Sequence, residues 1–552
     1  MKKIIQHRYF SQSENDCETT IRITHFLFSK TNMKVLLVIL FLLLAALHPE
    51  FVFGQNGVSG SLVNAEWLQS NINDTNILIL DVSMPNVYVE KHIPGAINAV
   101  LFTYGTTEKP VGQMELLFQS FGISTNKKIV LYDEGGTFTA TRSFFSLFYY
   151  GFPVENLFIL DGGLSKWLEK GYASTNETAQ AKSKGNFKIS SINESVRIKL
   201  TEFISATGDL ENNSIVDALG PDWHFGGTQF FDRTGHIPNS IMIPVSDFFN
   251  PDKTFKSQDD MKKIFDYYKI SDKKQILTHC GGGIAASVPF FALRFILKNT
   301  AAKLFIESQI GWLSDPRGLP MWTYDAPNLL RETNWLQTWG GKKLKMYGVS
   351  TVCIIDIRSP EDFAKGHLPF AINIPSGIFM DHFNDSEKLS KILGEAGINP
   401  SFEAVIVSGS GLTRESALVF LALESIGQNK ISIFVDTMER SESLGYKMTS
   451  DISPGKPVSY STNKNEKMFI SDLSSSKGVY QKILITSSPD THQSDEGLTK
   501  TAVPFSELIN EDGKPKEAVE IWRALTKAGV PRYGELVCCS DDIRESALHY
   551  YI

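Results

Sequence analysis

The sequence predicts an α/β protein of four tandem repeats, each a parallel sheet with helices on both faces. Two recurrences predict it. In the first, a buried strand ending in Asp leads through a loop to a His-aliphatic-Pro turn: Leu78–Asp81 to His92-Ile93-Pro94, Ile215–Asp217 to His236-Ile237-Pro238, and Ile354–Asp356 to His367-Leu368-Pro369. In the second, another apolar strand follows each turn at a near-constant interval, at Ile129–Tyr132, Gln275–Thr278 and Ala404–Val407. A loop of small residues then opens a run of helical period, at Ser143–Tyr150, Val288–Leu297 and Ser416–Leu423. Strands alternating with helices require crossovers, which bury a parallel sheet on both faces.

The fourth repeat is degenerate. Ile483–Ile485 leads to Ala502-Val503-Pro504 and then to Glu535–Val537, without the turn His or the strand-terminal Asp. The strand and helix that close the other repeats have no counterpart before Ile552. The expected repeats are 58–175, 196–325, 332–450 and 465–552, with polar linkers at Ser174–Val196 and Thr449–Lys467.

Length agrees with a modular chain. At about 100–200 residues per domain, 552 residues imply roughly three to five domains. With 42% hydrophobic and 21% charged residues the composition is that of a globular protein, neither disordered nor many times membrane-spanning. A net charge of −7 supplies no basic surface for nucleic acid, so any anionic substrate needs local cations.

One segment differs. Met33-Lys34, the apolar run Val35–Leu47 and the break His48-Pro49-Glu50 have the form of a secretory signal over residues 33–54, with Val52 and Gly54 suiting a cut after Gly54. The run is short for a spanning helix, so no stable membrane span is expected after cleavage; the alternative is an uncleaved N-terminal anchor, and both readings export the rest of the chain. Residues 1–32 then read as a non-native extension before the true start at Met33, and the mature protein as exported, to the periplasm. Of five cysteines, Cys17 would be lost with the leader. Cys280, Cys353, Cys538 and Cys539 are too few and too irregular for a disulfide framework, and no spacing suggests a metal site.

Cys280 has the setting of a nucleophile. His279-Cys280-Gly281-Gly282-Gly283-Ile284-Ala285 places it between a strand and a helix, in a loop that glycines allow to turn tightly. Backbone N–H groups of Gly281, Gly282, Gly283, Ile284 and Ala285, with the start of a helix near Ala285, can form a cradle that favours a thiolate and an anionic persulfide. Cys353, inside the apolar strand Val352–Ile355, reads as core.

The Asp-loop-Gly-His-Ile-Pro pattern, the Cys-bearing loop and Leu160-Asp161-Gly162-Gly163-Leu164-Ser165-Lys166-Trp167 resemble the rhodanese superfamily over nearly all of the mature chain. The first two repeats resemble its tandem thiosulfate or 3-mercaptopyruvate sulfurtransferases, in which the first half is inactive and the second carries the nucleophile. The resemblance implies tandem rhodanese-like domains and a double displacement: Cys280 takes sulfur from a small anionic donor and yields it to a thiol or cyanide, with no cofactor and no metal. Tyr132–Phe138 fills the first loop without cysteine, and Ser408-Gly409-Ser410-Gly411 carries Ser at the nucleophile's place in the third.

In the fourth repeat, matching Arg544–Leu548 with Arg414–Leu418 puts Cys538 at the position of Ser408, with Asp541 and Asp542 in its loop. Its spacing to Arg544 resembles rhodanese-related phosphatases. The family's usual Arg after Asp217 is missing, and His224 and Arg233 are the residues expected at the substrate mouth. Asp217 and His236 are expected to order the strand end and the turn. The rival function is a non-catalytic sulfur-binding or protein-docking module.

Overall fold

The computed structural model describes strand Ile4–Gln6 and residues 57–552, apart from 103–107, 230, 272–273, 339–351, 464, 466–467, 471–479 and 490–497. The leader expected at residues 33–54 lies outside the described residues. The chain divides into two compact halves, Ser11–Trp322 and Met1–Phe10 with Thr323–Ile552.

Each half contains two sheets, and all four share one strand order. In the second repeat the order is Ala302–Leu304, Gln275–His279, Asn213–Asp217, Ser240–Met242, all parallel. The first repeat runs Leu157–Leu160, Lys128–Tyr132, Ile77–Asp81, Ile97–Asn98, and the third Lys430–Phe434, Glu403–Val407, Val352–Asp356, Ala371–Asn373. The fourth keeps Glu535–Cys538, Lys482–Thr486 and Thr499–Ala502 in that order, and Ile4–Gln6 pairs antiparallel with Glu535–Cys538 at the place of the missing neighbour. The chain leaves the central strand to one side and returns on the other. The carboxyl ends of the two middle strands are therefore the switch point, the place where open α/β sheets bind ligands.

The helix after each second strand forms where the helical period predicts it, as Thr139–Tyr149 and Arg414–Ser425. In the second repeat only Ser287–Phe291 is α-helical, and a π-helical turn over Ala292–Ile296 completes it.

These helices join the repeats of each half by reciprocal contacts. Thr141 Oγ1 lies 2.8 Å from Ser287 Oγ, Phe144 packs on Phe291, and Phe145 on Phe290, at centroid distances of 5.0 and 5.1 Å. In the second half Arg414 pairs with Glu545 at 2.9 Å, and Arg544 with Glu415 at 3.5 Å. Equivalent positions exchange equivalent contacts, the mark of a two-fold arrangement. The third and fourth repeats therefore pair as the first and second do.

A turn from the even repeat also docks on the odd one. Around Phe249–Phe255, the Phe255 N–H donates to Asp161 Oδ1 at 2.8 Å and Lys166 pairs with Asp252 at 2.8 Å. Around Ile509–Pro515, the Leu412 N–H donates to the Gly513 carbonyl at 2.9 Å and Lys514 pairs with Asp436 at 2.8 Å. Asp436 thus has a lysine against it, whereas Lys166 is spent on Asp252 and Glu169 beside Asp161. Burial, only partly offset by the N–H of Phe255, pushes the Asp161 carboxyl up from 3.8 to about 7.

A folded-state pKa above the unfolded one means that the folded protein holds the proton longer. Ionisation of Asp161 therefore costs stability as pH rises from about 4 to about 7 and no more above that. Denaturant midpoints of the first half are expected to fall across this window, by the equivalent of a few kcal/mol, and Asp161→Asn should flatten the profile.

Candidate active site

Strand register builds the site. Asp217 and His279 are parallel partners at the ends of their strands, and Cys280 is the next residue. Beyond it the chain must turn before the helix begins at Ser287, and Gly283 makes that turn with φ +79°. A Cβ on Gly283 would stand 2.0 Å from the Ile306 carbonyl oxygen, so both its conformation and its neighbour require glycine. Gly281 and Gly282 have ordinary backbones. A Cβ on Gly281 would meet the Phe231 ring at 3.0 Å, and one on Gly282 the Ile310 side chain at 3.3 Å.

The Cys280 sulfur accepts the Gly283 N–H at 3.2 Å. Ser308, with φ +50° and fully buried, accepts the Cys280 N–H at 3.1 Å, and its hydroxyl stands 3.9 Å from the sulfur. The next two residues fasten the loop: Gln309 N–H donates to the Cys280 carbonyl at 3.0 Å and Ile310 N–H to that of Gly281 at 3.1 Å. The buried Gln309 amide reaches the Gly235 carbonyl at 3.1 Å. None of this support was legible in the motif, because Ser308–Ile310 belongs to the closing helix.

The electrostatics differ from expectation. Cys280 is 2% exposed, and burial pushes its thiol above the ordinary value, outweighing the N–H groups of Ala286 and Gly283 and the Ser308 hydroxyl. The helix begins at Ser287 rather than near Ala285, so the dipole end lies two residues further on. Ile284 is buried and Ala285 half-buried in the intervening turn.

His224 does not line a mouth. Its ring is buried, accepts or donates at Nδ1 with Asp217 Oδ2 at 2.8 Å, and stacks on His236 at 3.7 Å. The other repeats supply the reason. His92 stacks on Tyr88 and bonds its carbonyl at 2.8 Å, and His367 does the same with Phe363 at 2.9 Å. His236 bonds the His224 carbonyl at 2.8 Å, so His224 is the ring on which its turn histidine rests. Asp217 also accepts the Leu219 N–H at 3.0 Å, and His279 Nε2 meets Ser240 Oγ at 2.7 Å. Burial raises the Asp217 carboxyl, but His279 and His224 outweigh it and hold it below the usual range. Arg233 is half-buried, with its guanidinium on the Leu319 carbonyl.

The other loops hold different occupants. In the first repeat Asp133 fills the cradle, its carboxylate accepting the N–H groups of Gly135 and Ala140, both at 2.9 Å. In the third, Ser408 Oγ accepts the Ser410 N–H at 3.1 Å. In the fourth, Ser540 Oγ accepts the Asp542 N–H at 3.2 Å in the same way. Thr486 takes the place of the strand-end Asp, as the Val503 N–H on its carbonyl matches that of Ile374 on Asp356. Ile485 pairs with Cys538, which leaves Ser540, not Cys538, in the nucleophile's position. Cys538 is a buried strand residue whose thiol burial pushes up to about 12, so the phosphatase-like spacing to Arg544 has no loop to serve.

Comparison with known proteins accords with this geometry. The rhodanese-like domain profile matches residues 64–170 and 338–440. The 3-mercaptopyruvate sulfurtransferase of Escherichia coli is 29% identical over 252 residues, spanning 42% of this chain and 87% of that protein. The sulfur carrier protein TtuD of Thermus thermophilus is 26% identical over 285 residues, 48% of this chain and 94% of that protein. The crystal structure of SseA from Escherichia coli aligns at 25% identity and a TM-score of 0.41, covering 45% of this chain and 99% of that one.

The raised thiol sets a testable expectation. A free cysteine levels off in alkylation rate above its pKa of about 8.5. Cys280 should react slowly at neutral pH and still gain rate where free cysteine has levelled, as followed by iodoacetamide labelling and peptide mass. Residues 64–170 and 338–440 are thus rhodanese-like domains, and the chain is similar to the sulfurtransferases of the rhodanese superfamily.

Proposed function

We propose that the protein moves sulfane sulfur from thiosulfate or 3-mercaptopyruvate to a thiophilic acceptor through a persulfide on Cys280. At the coarser level it is a sulfurtransferase, in keeping with relatives of that name. The observation that carries the finer reading is a cysteine at the sheet's switch point whose sulfur already accepts a loop N–H, at 3.2 Å from Gly283.

Cys280 first loses its proton, at a cost that burial raises. The thiolate attacks the donor's outer sulfur, and the donor's bond to that sulfur breaks with its electron pair leaving on sulfite or on the enolate of pyruvate. The persulfide anion is held by the loop's N–H groups, each contributing about 1.5–3 kcal/mol as a hydrogen bond to a charged group. A thiol or cyanide then removes the outer sulfur and restores the thiolate.

Repeats one, three and four serve as non-catalytic partners, since Asp133, Ser408 and Ser540 cannot carry sulfane sulfur. Export to the periplasm belongs to the same proposal and rests on the sequence of residues 33–54. Among the described residues no helix is long and apolar enough to cross a membrane.

Cys280→Ser fits the loop but cannot carry sulfur. It is expected to abolish sulfite release from thiosulfate and pyruvate release from 3-mercaptopyruvate while leaving the circular dichroism spectrum unchanged. Wild-type protein treated with donor should gain the mass of one sulfur atom on the Cys280 peptide and lose it to cyanide. A protein that never gains that sulfur is a docking module instead.

A further inference from the structure

We infer that Cys280 is built to take sulfur from a low-charge organic donor, an alkyl or aryl persulfide, in preference to the thiosulfate dianion. This rests on the sulfurtransferase reading and narrows its donor class.

The chain contains its own comparison. In the third repeat, the residue two beyond the strand-end Asp356 is Arg358, whose Nε and Nη2 fork onto that carboxylate at 3.0 and 2.6 Å. Its side chain lies over the Ser408 loop, where a Cβ on Gly409 would come within 2.8 Å of Arg358 Cδ. In the second repeat the same place is Leu219, identified by its N–H on Asp217 at 3.0 Å, as that of Arg358 is on Asp356 at 3.1 Å. The repeat with the nucleophile thus has leucine at the position of that cation, and at Gly281, the counterpart of Gly409, the overlying side chain is the Phe231 ring. Asp217 is answered from inside the fold by His224.

The remaining neighbours agree. The Phe231 ring lies against Gly281 and the Ile310 side chain against Gly282, so these two loop glycines face apolar side chains, and the polar neighbour of the sulfur, the Ser308 hydroxyl, is neutral. Arg233, two residues beyond Phe231, directs its guanidinium to the Leu319 carbonyl. A dianion entering against the Phe231 ring and the Ile310 side chain loses water without gaining a counter-charge from them, whereas an organic arm gains from the burial. Of the two donors proposed above, 3-mercaptopyruvate, with one carboxylate and a carbon chain, is nearer to this class.

The chemistry balances without an oxidant or reductant. The resting thiol gives its proton to water, and the thiolate attacks the outer sulfur of R–S–SH. The S–S bond breaks with its electron pair on the inner sulfur, and the R–S⁻ so formed takes up the proton that the transferred outer sulfur carried. The products are R–SH and the Cys280 persulfide anion.

The full chain would be mixed in single turnover with benzyl persulfide generated in situ, or with thiosulfate, and sulfur on the Cys280 peptide followed by mass spectrometry. Each rate is divided by that of free cysteine with the same donor. Benzyl persulfide is expected to load Cys280 at least about tenfold faster on this scale, and Leu219→Arg to raise the thiosulfate rate by about tenfold or more through a restored charge-assisted contact. Equal or faster loading of the wild type by thiosulfate overturns the inference and leaves the sulfurtransferase reading intact, whatever the variant does. Loading by neither donor overturns both. A folded Leu219→Arg protein with no gain from thiosulfate also counts against the inference, because the missing cation would then not be what limits the dianion.

Discussion

A buried carboxylate at the carboxyl end of a central parallel strand is the constraint on which the first three repeats are organised. Such a charge is costly in the interior unless hydrogen-bonded or paired. Asp81 accepts the Ser83 N–H at 2.9 Å, and burial leaves its carboxyl raised. Asp217 has the His224 ring and the Leu219 N–H, and Asp356 has the Arg358 fork. The fourth repeat removes the problem by placing Thr486 there, its hydroxyl donating to the Ser488 carbonyl. Where the carboxylate is answered by Arg358, that side chain also stands over the neighbouring loop; where His224 answers it, the Phe231 ring stands there instead.

The loop beyond the second strand is the other half of the same economy. Its N–H groups face inward after the chain turns, and a buried donor must find an acceptor. In the first repeat Asp133 provides one, with hydroxyls of Thr137 and Thr139 at 2.7 and 3.2 Å on the same carboxylate. In the second the acceptor is a sulfur, a weaker partner that leaves room for an anion to improve the site during reaction. Serine hydroxyls close the loops of the third and fourth. Three kinds of acceptor, a carboxylate, a sulfur and a serine hydroxyl, thus meet one backbone requirement in four loops.

Pairing of repeats then positions the loops. Helices that begin at each loop meet their counterparts through reciprocal contacts, aromatic in the first half and ionic in the second. The aromatic contacts stabilise by burying apolar surface, at about 25 cal/mol per Å², and in the second half Phe420 against Tyr551, 4.9 Å between centroids, adds a contact of the same kind. The ionic version, half exposed, contributes less per contact and depends on salt.

The sequence by itself determined the parallel strands, the turns that follow them and the place of the glycine-flanked cysteine. Period-two and helical-period runs, the Asp and His-Pro punctuation and a glycine-flanked cysteine are local signals, and local backbone chemistry enforces them. The parallel strands and the turns at His92, His236 and His367 stand where these signals put them. Only the tertiary structure decided what surrounds the sulfur. His224 looked like a mouth residue because its charge was legible and its stacking on His236 was not. Cys538 looked like a loop residue because helix matching ignores the shorter loop, whereas strand register with Ile485 holds it in the sheet. Ser308 and Gln309, 28 and 29 residues beyond Cys280, reach it only because the last strand returns beside the one that ends at His279. The raised thiol has the same origin: solvation is a property of everything packed around an atom, and residues distant in sequence supply most of it.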